Sequence, residues 1–254
     1  MLASLMSLPV SIALLIWILR MKKEKPFPRT VFVKLLIAGL VVGIVASFFT
    51  IVGAVVNFIS IYGFDTLRDL FDFEKTQSVM EQLRQSQQDP GSIGIVRGFI
   101  KTFIIVGFVE EIFKFLGARI FMKKEEHLTW MDALLYFCVV AISFQLSEDF
   151  GYASGNMTTA IFRALTPFHF TFAAIMGYYY GLGKVKGSKF YVFLAIFIPS
   201  FLHTLFDYSA SLTASHEMAI IPYFLSAILL FVLTIVMIVK INKWHKNKTL
   251  DIEI

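Results

Sequence analysis

Two adjacent glutamates stand in an apolar stretch, one helical turn before a lysine; residues 107–114 read GFVEEIFK. On a helix, Lys114 is four residues from Glu110 and three from Glu111, so its ammonium can reach either carboxylate. Two neighbouring carboxylates in a low dielectric repel each other, and the lysine can hold one of them ionised. The group then offers a proton acceptor beside a hydrogen-bonding or metal-binding carboxylate. The alternative is a structural ion pair with a spare carboxylate.

A second acidic position follows at the end of another apolar run, where residues 145–152 read QLSEDFGY. Gln145, Glu148 and Tyr152 share one helical face through steps of three and four residues. We expect that face to point inward, and we prefer Glu148 to Asp149 as the site residue. The alternative is that both acids mark the membrane boundary.

His169 is the first member of a row spaced by four residues, followed by Ala173, Gly177 and Gly181. Small residues at this spacing allow two helices to approach closely in a membrane. His169 is therefore predicted to face a packed protein interface rather than lipid. It is interpreted as a site residue, the alternative being a histidine bonded to a neighbouring helix for structural reasons.

His203 and Asp207 are four residues apart, so the carboxylate can orient the imidazole and set its tautomer. Pro199 lies one turn earlier and is expected to kink the helix or free a carbonyl. The alternative, a purely structural pair, would require burying both polar groups in an apolar span without a functional gain.

The elements that must position these side chains are membrane spans. Hydrophobic residues make up 57% of the 254 residues and charged residues only 16%, which is unlike a soluble domain. A span needs about 20 apolar residues, and a charge at its centre costs about 2.5–3.5 kcal/mol, so the acids and histidines inside spans are functional candidates. We predict an all-α, polytopic bundle forming a single domain over 1–254. It has about seven candidate spans, near 2–19, 31–62, 93–121, 130–152, 160–182, 190–210 and 219–240.

The loop charges predict an orientation for these spans. Lysines and arginines cluster after the first, third, fifth and seventh spans, which places those ends in the cytoplasm and the N-terminus outside. Residues 1–19 lack a basic segment before the apolar run, so a retained span is expected rather than a signal peptide. The net charge of +5 is assigned to topology rather than to nucleic acid, and the single cysteine excludes an internal disulfide.

The four groups of residues allow two ways of activating a water molecule. In the first, His169, His203 and a glutamate, with Glu111 as the candidate, bind Zn²⁺ while the other glutamate is the base. In the second, a glutamate and His169 activate water without a metal, while His203 and Asp207 stabilise the oxyanion. The sequence has neither HExxH nor GxSxG in a suitable span, and spacing alone leaves both routes open.

Taken in order, these motifs resemble the PrsW family of intramembrane proteases over about residues 105–210. The matching positions are Glu110-Glu111-x-x-Lys114, Glu148 with Tyr152, His169 followed by Gly177, and His203-x-x-Phe206-Asp207. The resemblance implies a membrane-embedded peptidase of the metallopeptidase type, with 105–210 as its catalytic core. It also implies a membrane-anchored protein substrate, such as an anti-sigma factor, cut near the outer face of the cell membrane.

The broader CAAX-protease and bacteriocin-processing family fits less well. Its Glu-Glu-x-x-x-Arg motif would place arginine at Phe115, whereas the basic residue here is Lys114. Its second motif requires phenylalanine where this chain has Leu165, and only the last motif is satisfied, by His203 and Asp207.

Two other functions compete with proteolysis. An ion- or proton-coupled transporter could also use buried Glu, His and Asp residues, although no internal repeat is evident. A catalytically silent binding protein could retain the same fold. Outside the predicted core, the polar segment 63–92 is expected on the extracytoplasmic side, where part of it could form an amphipathic helix that admits substrate, or serve as a linker.

Overall fold

The computed structural model describes residues 8–22, 26–69, 72, 75, 77–78, 91–122, 127–152, 166–213 and 217–254. An isolated bridge between Thr129 and Glu253 is the one β-type pairing within these ranges, and the predicted all-α class is confirmed. The helices are α1 (Leu8–Met21), α2 (Arg29–Tyr62), α3 (Phe64–Asp69), α4 (Gly91–Thr102), a π-helical segment (Phe103–Gly107), α5 (Phe108–Met122), α6 (Trp130–Tyr152), α7 (Phe168–Val185), α8 (Lys189–Leu212), a 3₁₀ turn (Glu217–Ala219) and α9 (Ile220–Lys246).

Four of the described helices, α2, α6, α8 and α9, are long and apolar enough to cross a bilayer. The first predicted span is a shorter apolar helix, α1, and the third is helical over 91–122 in three consecutive stretches. The fifth is described from Phe168 onward, and its predicted start at 160 lies outside the described residues. Helix α2 has 34 residues; at about 1.5 Å per residue it exceeds the ~30 Å hydrocarbon core and must tilt or protrude.

Helix α6 is the centre of the bundle. All its side chains from 131 to 145 are buried, which is the pattern of a helix surrounded by protein rather than by lipid. Neighbouring helices reach it through glycines. A Cβ at Gly39 of α2 would lie 3.0 Å from the Phe144 nitrogen, and one at Gly177 of α7 would lie 2.5 Å from Leu134 Cα. The predicted close interface along the His169 row is therefore confirmed, with Gly181 packed on the ring of Trp130.

Helices α2 and α9 present apolar side chains outward. Ile44 and Phe48 of α2 and Leu225 of α9 are each more than 60% exposed, as expected for surfaces in contact with lipid. On its inner side α9 is joined to the bundle by hydroxyl pairs, Thr234 with Thr171 at 2.6 Å and Ser226 with Ser209 at 3.0 Å. Hydrogen bonds of this kind hold helices together where apolar surface gives no preference for protein over lipid.

The start of α6 is held from two sides. Lys22, just after α1, forms an ion pair with Asp132, whose carboxylate also accepts hydrogen bonds from the amide and hydroxyl of Thr129. The C-terminal tail supplies carbonyls to the first amides of the helix, since the Trp130 nitrogen donates to the Ile252 oxygen at 2.8 Å. These bonds satisfy donors that a helix start otherwise leaves unpaired.

Candidate active site

A cavity of about 610 Å³ lies between the helices on the side where α6 and α8 end. Its wall includes residues from α2, from α4 and the π segment, and from α5 to α9. Five carboxylate and histidine side chains are among its described lining residues, and each was singled out from the sequence: Glu110, Glu148, His169, His203 and Asp207. Glu111 and Lys114 do not line this cavity and lie behind its wall, at 0% and 1% exposure respectively.

A π-helical segment immediately before α5 positions the two glutamates. π-Segments add a residue to a turn and occur often at functional sites. Gly107, its last residue, packs on α8, where an added Cβ would lie 2.7 Å from the carbonyl oxygen of Ser200. The absence of a side chain at Gly107 therefore allows the start of α5 to approach the turn of α8 that carries His203.

Glu111 is the centre of a buried hydrogen-bond network. Its Oε1 accepts from Lys114 Nζ at 2.6 Å and lies 2.9 Å from His203 Nδ1. Lys114 Nζ is only 3.9 Å from Glu110 Oε2, so the lysine sits between both carboxylates as the spacing predicted. Its ammonium also lies 4.1 Å from the centre of the Phe144 ring, which is a favourable cation–π distance.

His169 is paired at both ring nitrogens. Nδ1 lies 2.8 Å from Lys114 Nζ, and Nε2 lies 2.7 Å from Glu148 Oε2. An ammonium can only donate, so Nδ1 accepts and the ring proton is on Nε2, donated to Glu148. The ring also packs against Phe144 and Phe172, with centroids 5.1 and 5.9 Å away. Helix α6 therefore holds His169 through a carboxylate and an aromatic ring.

His203 is surrounded by three carboxylates. Its Nδ1 faces Glu111, and its Nε2 lies 3.2 Å from Asp207 Oδ2 and 3.7 Å from Glu110 Oε2. The ring stacks on Phe172 at 5.1 Å with an interplanar angle of 22°. Pro199 lies inside α8 one turn earlier, and because it has no N–H it leaves a carbonyl of the preceding turn without its helical partner.

Glu110, His169 and His203 are buried and offer one donor atom each within 4.8 Å of one another. Among the described residues, Glu110 Oε2 has no hydrogen-bond partner. Four carboxyl groups and one lysine surround the two imidazoles, an oxygen- and nitrogen-rich set that suits a divalent cation such as zinc. The residues thus fit a metal. The set differs from the expected one in using Glu110 rather than Glu111, because Glu111 is already bound to Lys114 and His203.

The other predicted positions differ in whether they line the cavity. Gln145 lines the cavity beside Glu148, as their shared face predicted, while Asp149 is buried and is not among the lining residues. Tyr152 lies within α6, but its side chain is outside the described part of the chain.

Sequence reasoning missed the aromatic wall and the hydroxyls of the cavity. Phe144 and Phe172 pack on both sides of His169, and Thr50 of α2 and Tyr223 of α9 reach the cavity from outside the expected core 105–210. Phe144 precedes Glu148 by one turn and Phe172 follows His169 by one turn, which was an available signal. Thr50 and Tyr223 have no such sequence relation to the site.

The architecture is that of a multi-pass helical membrane protein with a polar, metal-compatible cluster in its interior. The chain matches the PrsW family intramembrane metalloprotease over residues 27–239 and belongs to that family. The predicted family resemblance is confirmed, over a longer stretch than 105–210. Membership of a peptidase family does not support the transporter hypothesis.

Relatives named Protease PrsW match part of the chain. The one from Halalkalibacterium halodurans is 33% identical over 133 residues, which are 50% of this chain and 62% of that protein. The one from Clostridioides difficile is 35% identical over 119 residues, 42% of this chain and 50% of that protein. The chain thus spans about half to three fifths of the curated relatives it matches. No solved structure matches it.

Proposed function

We propose that this protein hydrolyses a peptide bond of a membrane-anchored protein at the cavity lined by Glu110, Glu148, His169, His203 and Asp207. One observation carries the proposal: side chains from α5, α6, α7 and α8 converge on one cavity inside the bundle. Burying this many ionisable groups in a membrane protein is costly without a task. The curated relatives, each named Protease PrsW, support the same activity.

The glutamates have different roles in this proposal. Glu110 is the general base, because it reaches the cavity and its Oε2 is free of hydrogen bonds to the described residues. A base must lie within reach of the proton it removes. Glu111 and Lys114 are positioning residues, since they touch the imidazoles from behind the wall.

In this proposal carboxylates orient both histidines, and His203 is the proton donor. His203, held by Asp207, faces Glu110 across 3.7 Å and can donate a proton to the leaving amine or to the carbonyl oxygen as charge develops there. Glu148 keeps the proton of His169 on Nε2. Phe168, Phe172 and Phe206 give the cavity an apolar side that can exclude bulk water around the scissile bond.

Glu110, His169 and His203 are the residues that would hold a divalent metal, which in such sites polarises the scissile carbonyl and makes a water molecule more acidic. A metal would replace one hydrogen bond at each imidazole, because both nitrogens of both rings are already paired. Those same pairings favour the second route, in which Glu110 and the histidines activate water directly.

The position of the cavity supports the proposed class of substrate. It is lined by residues near the ends of α6 and α8 and by Tyr223 near the start of α9. In the orientation that the basic loops predict, with the N-terminus outside and the C-terminus cytoplasmic, these are the outer ends of the helices. A single-pass protein cut near its outer membrane boundary, such as an anti-sigma factor, is therefore the proposed substrate.

The catalytic core is proposed to be 105–210, with segment 63–92 admitting or screening substrate from outside. Only part of that segment belongs to the described residues, including helix α3. Deleting it is expected to change the rate or the selectivity of cleavage, and unchanged cleavage would reject this role.

The decisive experiment co-expresses the full chain with a tagged single-pass substrate candidate and follows the cleaved tag. We expect Glu110→Gln, Glu111→Gln and His203→Ala to reduce cleavage by about 100-fold or more, the scale of lost acid–base catalysis. His127→Ala is the matched control, since His127 is 72% exposed and pairs with Glu253 at the surface. Cleavage that persists in all three variants would overturn the active-site assignment.

A further inference from the structure

A second polar cavity, of about 370 Å³, lies at the opposite end of the bundle, between α5, α7 and the start of α8. Three basic side chains line it, Arg119, Lys184 and Lys189, and none of its described lining residues is acidic. Like charges gathered without a counter-charge repel one another, so this arrangement favours an anionic occupant.

The turn between α7 and α8 makes this cavity a rigid one. The Ser188 amide donates to the Gly183 oxygen at 2.8 Å and the Gly187 amide to the Lys184 oxygen at 3.2 Å. With Gly187 at φ 62°, these bonds form a Schellman motif, a fixed helix end. Lys184 and Lys189 are therefore displayed from either side of one short, defined turn.

The inner wall is ordered as well. Tyr180 is 4% exposed, and Lys184 Nζ lies 5.8 Å from the centre of the Tyr180 ring. Helix α8 begins at Lys189, so the amides of its first turn add positive potential at this side. A tetrahedral phosphate would meet guanidinium, ammonium and amide donors together.

The apolar surroundings of the cavity favour a phospholipid headgroup over free phosphate as the anionic occupant. Leu116 and Ile120 on α5, and Val185, Phe190 and Phe193 on α7 and α8, are apolar and between 43% and 62% exposed. Side chains of this type next to a basic pocket at a helix end are suited to acyl chains below a headgroup. A free phosphate would use the cations but would leave this apolar surface without a partner.

We propose that this basic cavity, lined by Arg119, Tyr180, Lys184, Ser188 and Lys189, binds the phosphate headgroup of an anionic phospholipid of the surrounding leaflet. The site is separate from the cavity that holds Glu110 and the histidines, and its occupancy is independent of proteolysis. It anchors the ends of α5, α7 and α8, the helices that carry the two glutamates, His169 and His203.

Native mass spectrometry of the full chain in detergent, with added lipid, tests the proposal. We expect phosphatidylglycerol to be retained at least tenfold better than phosphatidylcholine. Lys184→Gln with Lys189→Gln should weaken retention about 25-fold, from about fivefold for each cation near an anionic headgroup. Lys243→Gln with Lys246→Gln, exposed basic residues in the last turn of α9, is the control and should bind like the wild type.

Three outcomes would overturn the proposal: equal retention of the two lipids, unchanged binding by the Lys184/Lys189 variant, or an equal loss in the control. A parallel experiment with inorganic phosphate distinguishes a phospholipid headgroup from free phosphate as the bound anion. Displacement of phosphatidylglycerol by equimolar inorganic phosphate would refute the lipid. The thermal unfolding midpoint of each variant distinguishes loss of the site from loss of the fold, and Arg119→Gln is a second, independent variant of the site.

Discussion

At the scale of single residues, Glu110 and Glu111 differ more than their adjacency suggests. Successive residues on a helix point about 100° apart, so Glu110 reaches the cavity while Glu111 lies behind its wall. Glu111 is compensated by Lys114 and His203, and Lys114 in turn bonds His169. Lys114 therefore links His169 to Glu111, and Glu111 in turn bonds His203.

Replacing Lys114 by methionine is expected to destabilise the protein strongly, by about 3–5 kcal/mol, because it leaves the buried Glu111 charge without its partner. The double variant Glu111→Gln, Lys114→Met should recover much of this loss, since neither charge is then left alone. Thermal unfolding in detergent measures both. Equal loss in the single and double variants would show that the pair carries no coupled stability.

The metal can be tested without reference to cleavage. The metal route predicts close to one divalent cation per chain, with His169→Ala and Glu110→Gln losing most of it through loss of a donor, whereas the direct route predicts none in active enzyme. Elemental analysis after gel filtration gives the ratio, with His127→Ala as the control. Active enzyme without metal would establish direct activation of water by Glu110 and the histidines.

At the scale of elements, the π segment 103–107 and helix α8, which contains Pro199, decide how the motifs meet. Gly107 lies against Ser200 and Thr204, one turn or less from His203. Helix α6 also determines how the motifs meet, because glycines of α2 and α7 pack closely against its buried faces. The site therefore depends on close helix approach as much as on its ionisable groups.

Gly107→Val is expected to separate α5 from α8 and to abolish cleavage while the protein still inserts. Its added side chain would meet the Ser200 carbonyl, and overpacking of this kind costs about 1–3 kcal/mol. Ile104→Val, at a 58% exposed position of the same segment, is the control. Comparison of cleavage at matched membrane levels checks the prediction, and wild-type activity of Gly107→Val would contradict it.

At the scale of the whole molecule, the two polar cavities lie at opposite ends of the bundle. The one with Glu110 and the histidines is near the ends of α6 and α8, and the basic one is near the start of α8. The basic loops predict that the first faces outward and the second faces the cytoplasm.

This orientation predicts a labelling pattern. The native Cys138 is fully buried, so labelling by a maleimide reports on the thiol introduced at an exposed position. Asp65→Cys is expected to react with a membrane-impermeant maleimide in intact cells, and Asn247→Cys only after permeabilisation. Both positions are exposed in the structure, and the reverse pattern would invert the topology.

The helical membrane class, the family and the carboxylate and histidine residues that line the site follow from the sequence alone. Hydropathy, the cost of charges in lipid and helical spacing are local properties, and they suffice to select Glu110, Glu148, His169, His203 and Asp207. Which glutamate reaches the cavity was decided only by the tertiary structure.

The tertiary structure also decides that Phe144 and Phe172 pack on His169. It likewise brings Thr50 and Tyr223 into the wall of the cavity. The physical reason is that these relations depend on the rotation and approach of helices far apart in the chain. Glycine contacts and the π segment set that rotation and approach, and spacing along one helix does not carry the information.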